Sequence, residues 1–392
     1  MDEILQVPIG EMPGMAFACS CGRQHRFSVA HIAIRQNALE ALPEMAAPFK
    51  GGKLVTVFDS NTYPVAGRRA VALLREQGFT VKELLFDCGG DVLLPDERTL
   101  GRILMEIDPE VTLVVAIGSG VINDSVKYVT SRCGLPYIVV ATAPSMDGYV
   151  SDGAPIICEG YKYSPQAHLT YGLVGDTAAL QTAPQDLIQA GYGDVVGKIT
   201  ALADWDLAVK ANGDYRCDTC VQLVQQALDK CFAQADGLPT RQPAALEALM
   251  EALTITGVAM ALLGISRPAS GAEHMLSHYW EMEYIARGLN PIHHGIQVGV
   301  ATVIIARFFE ELADCLPEGT GVLCPSHEEI EALLRRGGAP VSPVEIGLDR
   351  ELFHRSLLES YTVRPRYSVM EYAKAQGWLE MIAEKITAAY YG

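Results

Sequence analysis

Apolar residues in the first half of the chain fall in short unbroken runs. Lys53 to Asp59 (KLVTVFD), Thr80 to Phe86 (TVKELLF), Val111 to Ile117 (VTLVVAI) and Leu135 to Thr142 (LPYIVVAT) have strand length, are rich in β-branched residues and are bounded by turn residues. Between them, Val65 to Gln77 and Glu97 to Ile107 carry helical spacing. Strand alternating with helix predicts a parallel sheet covered by helices on both faces. The pattern changes from Ala143 to about Ala183, where Gly, Pro, Tyr and Ser dominate; the short runs APIICEG and HLTYGLVGD predict a loop with small hairpins. From Pro184 onward the periodicity is almost wholly helical. Helices are expected over Asp194 to Val209, Ala244 to Leu263, Ala272 to Ile285, Gly295 to Leu316, His327 to Arg336 and Tyr367 to Tyr390. This divides the chain into an α/β domain over residues 1–183 and an all-α domain over 184–392, with no internal repeat and no low-complexity linker.

Composition narrows the partners. With 392 residues, 49% of them hydrophobic, there is ample material for a core. No apolar run is expected to reach the roughly 20 residues of a membrane span. The start, MDEILQVPIGEMPG, is acidic and lacks the basic, then apolar, pattern of an export signal, so a cytoplasmic location is expected, with the ten cysteines reduced. A net charge of -17 argues against nucleic-acid or anionic-membrane partners. An anionic small substrate remains compatible, provided a local cation or a helix N-terminus receives it. CSCGRQH, Cys19 to His25, has two thiols and one histidine but no second CxxC nearby. It is expected to be a β-hairpin turn, since Cys217 and Cys220 (CDTC) would complete a zinc set only through a tertiary contact.

Two stretches of the first half carry candidate chemistry. GSGVIND, Gly118 to Asp124, follows a strand and opens a helix, as a pyrophosphate-binding turn does, although position 123 is Asn where G-x-G-x-x-G has Gly. Asp59 closes an earlier strand, where a carboxylate can accept both ribose hydroxyls of an adenosine and repel the extra phosphate of NADP; capping of the following turn is the alternative. ATAPSMDGYVSDGAP lies at the end of the fourth strand, the edge where ligands bind in such sheets. It offers the hydroxyls of Thr142 and Ser145 and the carboxylates of Asp147 and Asp152.

The second half holds a denser cluster. In GAEHMLSHYWEMEYIARGLNPIHHGIQVG, Gly271 to Gly299, His274 and His278 are four apart and share one helical face, while His293 and His294 precede a new apolar run. Imidazoles from two neighbouring helices can converge on a metal; helix capping or a solvated face is the alternative. Asp194 in GYGD, between glycines and expected in the first turn of a helix, is the candidate third ligand. One carboxylate and two imidazoles leave an open position, as in a catalytic site.

In combination and order, GSGVIND, ATAPSMDGY, GYGD, SRPASGAEHMLSH and HHGIQVG resemble the glycerol-1-phosphate dehydrogenases, within the superfamily of iron-type alcohol dehydrogenase, glycerol dehydrogenase and dehydroquinate synthase. The resemblance spans roughly residues 50 to 310; the first fifty residues and the last eighty contribute no motif. It implies an α/β N-terminal domain with a Rossmann-like parallel sheet, an all-α C-terminal domain and an active site in the cleft between them. It implies Asp194, His274 and His294 as ligands of one divalent metal (zinc, nickel or iron), with His293 outside the set. Asp147, Asp194 and His278 are implied as catalytic and substrate-contacting residues. Gly118, Ser119, Gly120, Val121, Ile122, Thr142, Ser145 and Ser151 are implied as contacts to NAD(H), with NADP(H) as the other option; Asp59 joins them only by its place at a strand end. The implied reaction interconverts dihydroxyacetone phosphate and sn-glycerol 1-phosphate. Lys198 and Arg267 are candidates for the substrate phosphate, and a homodimer is expected by analogy. A glycerol dehydrogenase, without need of a phosphate pocket, and a dehydroquinate-synthase-like lyase, with a denser basic cluster, are the alternatives.

Overall fold

The computed structural model describes residues 3–89, 92–320 and 324–392. The strands are β1 (Ala16–Ala18), β2 (Gln24–Arg26), β3 (His31–Arg35), β4 (Lys53–Asp59), β5 (Thr80–Phe86), β6 (Val111–Gly118), β7 (Tyr137–Ala141), β8 (Ile156–Cys158), β9 (Tyr161–Tyr163) and β10 (Gly172–Asp176). The helices of the first part are α1 (Leu42–Ala46), α2 (Arg68–Glu76), α3 (Glu97–Leu104), α4 (Gly120–Cys133) and α5 (Thr177–Leu180). Those that follow are α6 (Gln185–Asn212), α7 (Asp218–Ala233), α8 (Pro243–Leu263), α9 (Ala272–Ala286), α10 (His294–Glu311), α11 (His327–Arg336), α12 (Arg350–Glu359), α13 (Val369–Ala375) and α14 (Leu379–Tyr391).

Six strands form one parallel sheet in the order β3-β10-β7-β6-β4-β5. The four strands expected from apolar runs are β4 to β7. The interior strand β7 is buried at every residue and β6 at nearly every one, which is why their sequences run apolar without alternation. At the edge, β5 places Lys82 and Glu83 toward solvent.

The expectation of a loop with small hairpins over 143–183 is corrected in part. One hairpin exists, β8 with β9, but the GLVGD of HLTYGLVGD is β10, a fully buried strand paired in parallel to both β3 and β7. Two glycines dilute its apolar signal. Packing is tight at Gly175, where a Cβ would lie 3.1 Å from the Met250 side chain. Strand β3 was also unmarked by pattern, and no helix was predicted over α7 or α12. The helix expected over Tyr367 to Tyr390 is two, α13 and α14, parted at Gly377, whose φ of +77° is left-handed.

Helix α6 starts at Gln185, directly after Pro184, so Asp194 lies in its third turn and not in its first. Its apolar residues go all the way round, as in a helix enclosed by others. Helix α8, at 21 residues, is long and apolar enough by length and composition to cross a membrane, contrary to the expectation above. Of its most apolar stretch 72% is buried within the fold, so it serves as a core helix.

Candidate active site

Close helix packing creates the site. Helices α6 and α10 cross where Gly193 meets Gly295; a Cβ on Gly193 would come within 2.2 Å of the Gly295 carbonyl oxygen. A Cβ on Gly191 would lie 1.7 Å from the carbonyl oxygen of Pro144, so the opposite side of α6 lies against the loop after β7. The glycines of GYGD and HHG thus bring Asp194 beside His294 and beside Asp147, whose N–H donates to Asp194 Oδ2 at 3.0 Å.

Asp194, His274 and His294 present ligand atoms that all lie within 4.8 Å of one another, a spread one ion can span with bonds of roughly 2.0–2.2 Å. His274 Nε2 is 3.6 Å from Asp194 Oδ1. His274 Nδ1 is 2.7 Å from Glu273 Oε1; as donor to that carboxylate it leaves Nε2 with the lone pair a metal needs. Glu273 is fully buried and also accepts from the Gly271 N–H at 2.6 Å and the Thr200 hydroxyl at 2.8 Å. His294 Nδ1 faces Ser277 Oγ at 3.0 Å and Glu281 Oε2 at 3.3 Å, which again directs Nε2 inward. The donor set therefore fits a divalent ion. Burial opposes ionisation of Asp194, but Lys198, His274 and His294 outweigh it and hold its carboxyl well below the usual range.

His278 completes the histidine cluster, its ring 5.2 Å from that of His294. Arg364 donates to His278 Nε2 at 2.5 Å, and burial together with the charges of Lys162 and Arg364 keeps the imidazole well below its ordinary pKa, hence neutral. Glu281 sits beneath both rings, 3.5 Å from His278 Nδ1, and pairs with Lys162 of β9 at 2.5 Å. Sequence reasoning missed Glu273, Glu281, Lys162 and Arg364. Only Glu273 and Glu281 lay inside a motif already singled out; Arg364 is in the stretch without motifs and Lys162 in the hairpin segment.

The remaining candidate residues have other partners. His293 is exposed and faces Asp186 at 3.1 Å. Arg267 is occupied, paired with Asp214 at 2.7 Å and donating to the Tyr367 carbonyl at 2.8 Å, so it is withdrawn as a phosphate ligand. Lys198 is buried between Asp147 (2.7 Å) and Asp194 (2.6 Å), which take up its charge. Asp152 accepts from Gln166 at 3.2 Å.

The cofactor candidates gather at the carboxyl edge of the sheet. Gly118 ends β6, Ser119 precedes α4, and Thr142 N–H donates to the Gly118 carbonyl at 3.2 Å, so Gly118, Ser119, Gly120 and the Thr142–Ser145 segment adjoin. A Cβ on Gly118 would lie 2.7 Å from Ile122, whose own side chain is core; Val121 is half-buried. Ser151 donates to the Gly148 carbonyl at 3.1 Å. Lys127, from the turn of α4 after GSGVIND, anchors this loop by donating to the carbonyls of Gly148 (2.6 Å) and Gly153 (2.9 Å). Asp59 does cap its turn, with Oδ1 accepting from the N–H groups of Asn61 and Thr62 at 2.9 and 2.8 Å. Its other oxygen makes no protein hydrogen bond among the described residues.

Residues 33–184 match the family model described as iron-containing alcohol dehydrogenase. A glycerol-1-phosphate dehydrogenase (NAD(P)+) of Bacillus licheniformis is 34% identical, with 92% of this chain and 93% of that protein covered. One from Methanosarcina barkeri is 30% identical over 86% and 89%. Among solved structures, a probable glycerol dehydrogenase from Sinorhizobium meliloti superposes with a TM-score of 0.69 at 16% identity, covering 92% of this chain and 97% of that one. The glycerol dehydrogenase of Schizosaccharomyces pombe gives 0.66 at 17%, over 91% and 90%; at such identities the likeness is one of fold. The chain belongs to the glycerol-1-phosphate dehydrogenase family, and its residues 33–184 carry the iron-containing alcohol dehydrogenase pattern.

Proposed function

We propose that the protein is a metal-dependent oxidoreductase that uses NAD(P)H to reduce dihydroxyacetone phosphate to sn-glycerol 1-phosphate, and runs the reverse reaction. The carrying observation is the Asp194–His274–His294 set lying against His278 with two cations, Arg364 and Lys162, on its far side. A bound divalent ion supplies Lewis-acid polarisation of the ketone and the nicotinamide supplies hydride. Asp194, His274 and His294 hold the ion, and Glu273 fixes the tautomer of His274. Neutral His278 hydrogen-bonds the substrate. Asp147, oriented by Lys198, holds a substrate hydroxyl. Gly118 to Gly120 and the N-terminus of α4 take the pyrophosphate, with Thr142, Ser145 and Ser151 lining the same edge and Asp59 at the ribose.

Arg364 makes no ion pair with a carboxylate among the described residues, and burial lowers its pKa against the more distant charges of Glu273 and Glu281, so an anion in hydrogen-bond range is the partner that its site lacks. This favours a phosphorylated substrate over glycerol. A small phosphorylated substrate also fits a cytoplasmic enzyme, and the acidic net charge supports the absence of a nucleic-acid partner. By analogy with its family the protein is a homodimer.

NADH oxidation on metal-stripped and metal-restored protein tests the reading. Dihydroxyacetone phosphate should exceed dihydroxyacetone in kcat/KM by at least about 100-fold, or roughly 2.7 kcal/mol, and chiral analysis should give the 1-phosphate. Comparable efficiency on the unphosphorylated ketone would move the assignment to glycerol dehydrogenase.

A further inference from the structure

The turn between β1 and β2 is tight. Cys19 N–H donates to the Arg23 carbonyl at 2.9 Å and Gly22 N–H to the Cys19 carbonyl at 3.0 Å, with Gly22 at a φ of +84°. This turn carries Cys19 and Cys21, and β2 follows with His25. Against it lies Cys217, at the start of α7. The ligand atoms of Cys19, Cys21, His25 and Cys217 all lie within 4.8 Å of one another. The tertiary contact that the sequence alone could not supply is therefore made.

We propose that Cys19, Cys21, His25 and Cys217 form a second metal site, a structural zinc site that fastens the N-terminal hairpin to the helical domain.

The spacing matches a tetrahedron. Zinc bonds of about 2.3 Å to sulfur and about 2.0–2.1 Å to nitrogen give edges of roughly 3.8 Å between sulfurs and roughly 3.5 Å between sulfur and nitrogen. Observed are 3.6 Å for Cys19 Sγ to Cys217 Sγ, 3.3 Å for Cys21 Sγ to His25 Nε2 and 3.7 Å for Cys217 Sγ to His25 Nε2. The sulfur separation is well beyond the roughly 2.05 Å of a disulfide bond. The histidine is oriented as a ligand, because its Nδ1 donates to the Leu262 carbonyl at 2.8 Å and leaves the lone pair on Nε2 facing the thiols. Four protein ligands fill the tetrahedral set, the mark of a structural and not a catalytic ion. Tyr215 closes the outer side, donating to Cys21 Sγ at 3.1 Å, with the Arg23 guanidinium 3.4 Å over its ring.

The location gives the site a purpose. Strands β1 and β2 have three residues each, too few for a hairpin to be stable by itself. Leu262 lies near the C-terminal end of α8, and the chain runs from there through the SRPAS loop into α9, which carries His274 and His278. A metal here anchors the end of α8 to the hairpin and so steadies the approach to the catalytic helix.

Metal analysis and cobalt spectroscopy on the full-length protein decide it. The protein prepared with zinc should hold two equivalents per chain, one of them retained through chelation that empties the Asp194–His274–His294 set. Cys217→Ser should lose the retained equivalent and His274→Ala should keep it. The unaltered protein loaded with Co(II) should show a thiolate-to-cobalt charge-transfer band, which the carboxylate–imidazole set cannot produce. The band should vanish in Cys217→Ser and persist in Cys158→Ser, where an exposed cysteine is replaced. A single metal per chain, a second metal that survives Cys217→Ser, or a Cys19–Cys217 disulfide in the native protein would each overturn the proposal. If Cys217→Ser does not fold, the absence of the charge-transfer band in the unaltered chain serves the same purpose.

Discussion

Lys198 Nζ lies 2.6 Å from Asp194 Oδ1, one turn along the same helix, and both side chains are buried. The ammonium also contacts Asp147 at 2.7 Å, so one cation holds two carboxylates from different parts of the fold. Burial opposes the charge on Lys198, but Asp147 and Asp194 outweigh that penalty and raise its pKa above the ordinary lysine value. The arrangement makes Lys198 a positioning residue.

Replacement by methionine tests this. Lys198→Met leaves Asp194 buried with less compensation, a change that costs about 3–5 kcal/mol in comparable buried pairs. The metal-free variant should lose stability of that order in denaturant melts. Divalent metal should restore more stability to the variant than to the unaltered protein, because the ion takes over neutralisation of Asp194. An unchanged midpoint without metal would show that the pair carries no such role.

The two adjacent histidines of HHG should behave oppositely. His294 faces the metal set, whereas His293 is 47% exposed and faces Asp186 at the surface. His294→Ala and His274→Ala should each lose most of the bound metal and nearly all activity; His293→Ala should keep both. Metal content measured on the three purified variants gives the answer, and loss of metal in His293→Ala with retention in His274→Ala would reverse the ligand assignment.

The sequence made β4 to β7, the Gly-rich turn and the histidine cluster legible because each is a local signal: an unbroken apolar run, a glycine after a strand, a helical spacing of four. Strand β10 was hidden since Gly172 and Gly175 read as loop, although the strand is fully buried. Arg364, and the contact of Cys217 with the hairpin, were hidden for another reason. Each acts through residues far along the chain, Cys217 with Cys19 and Arg364 with His278, and no spacing rule connects such positions. Lys198 and Arg267 were legible as cations but not as occupied ones; the carboxylates that take up their charge became visible only in three dimensions.

Glu281 gives a pH dependence. Burial works to raise its pKa, but Lys162 and His294 outweigh it and bring the carboxyl down to about 2 from an ordinary 4.5. A depressed folded-state value means stability that is present above the unfolded pKa and lost as pH falls from about 4.5 toward 2, on the order of 3 kcal/mol in all. In metal-free protein, Glu281→Gln should be less stable than the unaltered chain at pH 7, and the gap should close as the pH approaches 2. Denaturation midpoints across that range measure it; parallel curves for the two proteins would rule the linkage out.

Arg364 is the candidate partner of the substrate phosphate. Arg364 donates to His278 at 2.5 Å and to Ser270 at 3.4 Å, both neutral, while Arg366 beside it is spent on holding the SRPAS loop through Ser266 Oγ and the Ser270 carbonyl. A half-buried guanidinium with no carboxylate in ion-pair distance among the described residues keeps donors for an anion or water, and a planar fork suits a phosphate. Charge-assisted hydrogen bonds to a phosphate are worth roughly 1.5–3 kcal/mol each, so Arg364→Ala should lower kcat/KM for dihydroxyacetone phosphate by about 10- to 100-fold. Unphosphorylated dihydroxyacetone makes no such bond, and its efficiency should change by less than about threefold, roughly 0.7 kcal/mol. The ratio between the two ketones should therefore collapse while metal content stays constant. Arg364→Lys should recover part of the loss, since it keeps the charge and gives up the fork. Equal losses on both ketones would mean that Arg364 serves to orient His278, and the phosphate would then have to be sought at Lys162.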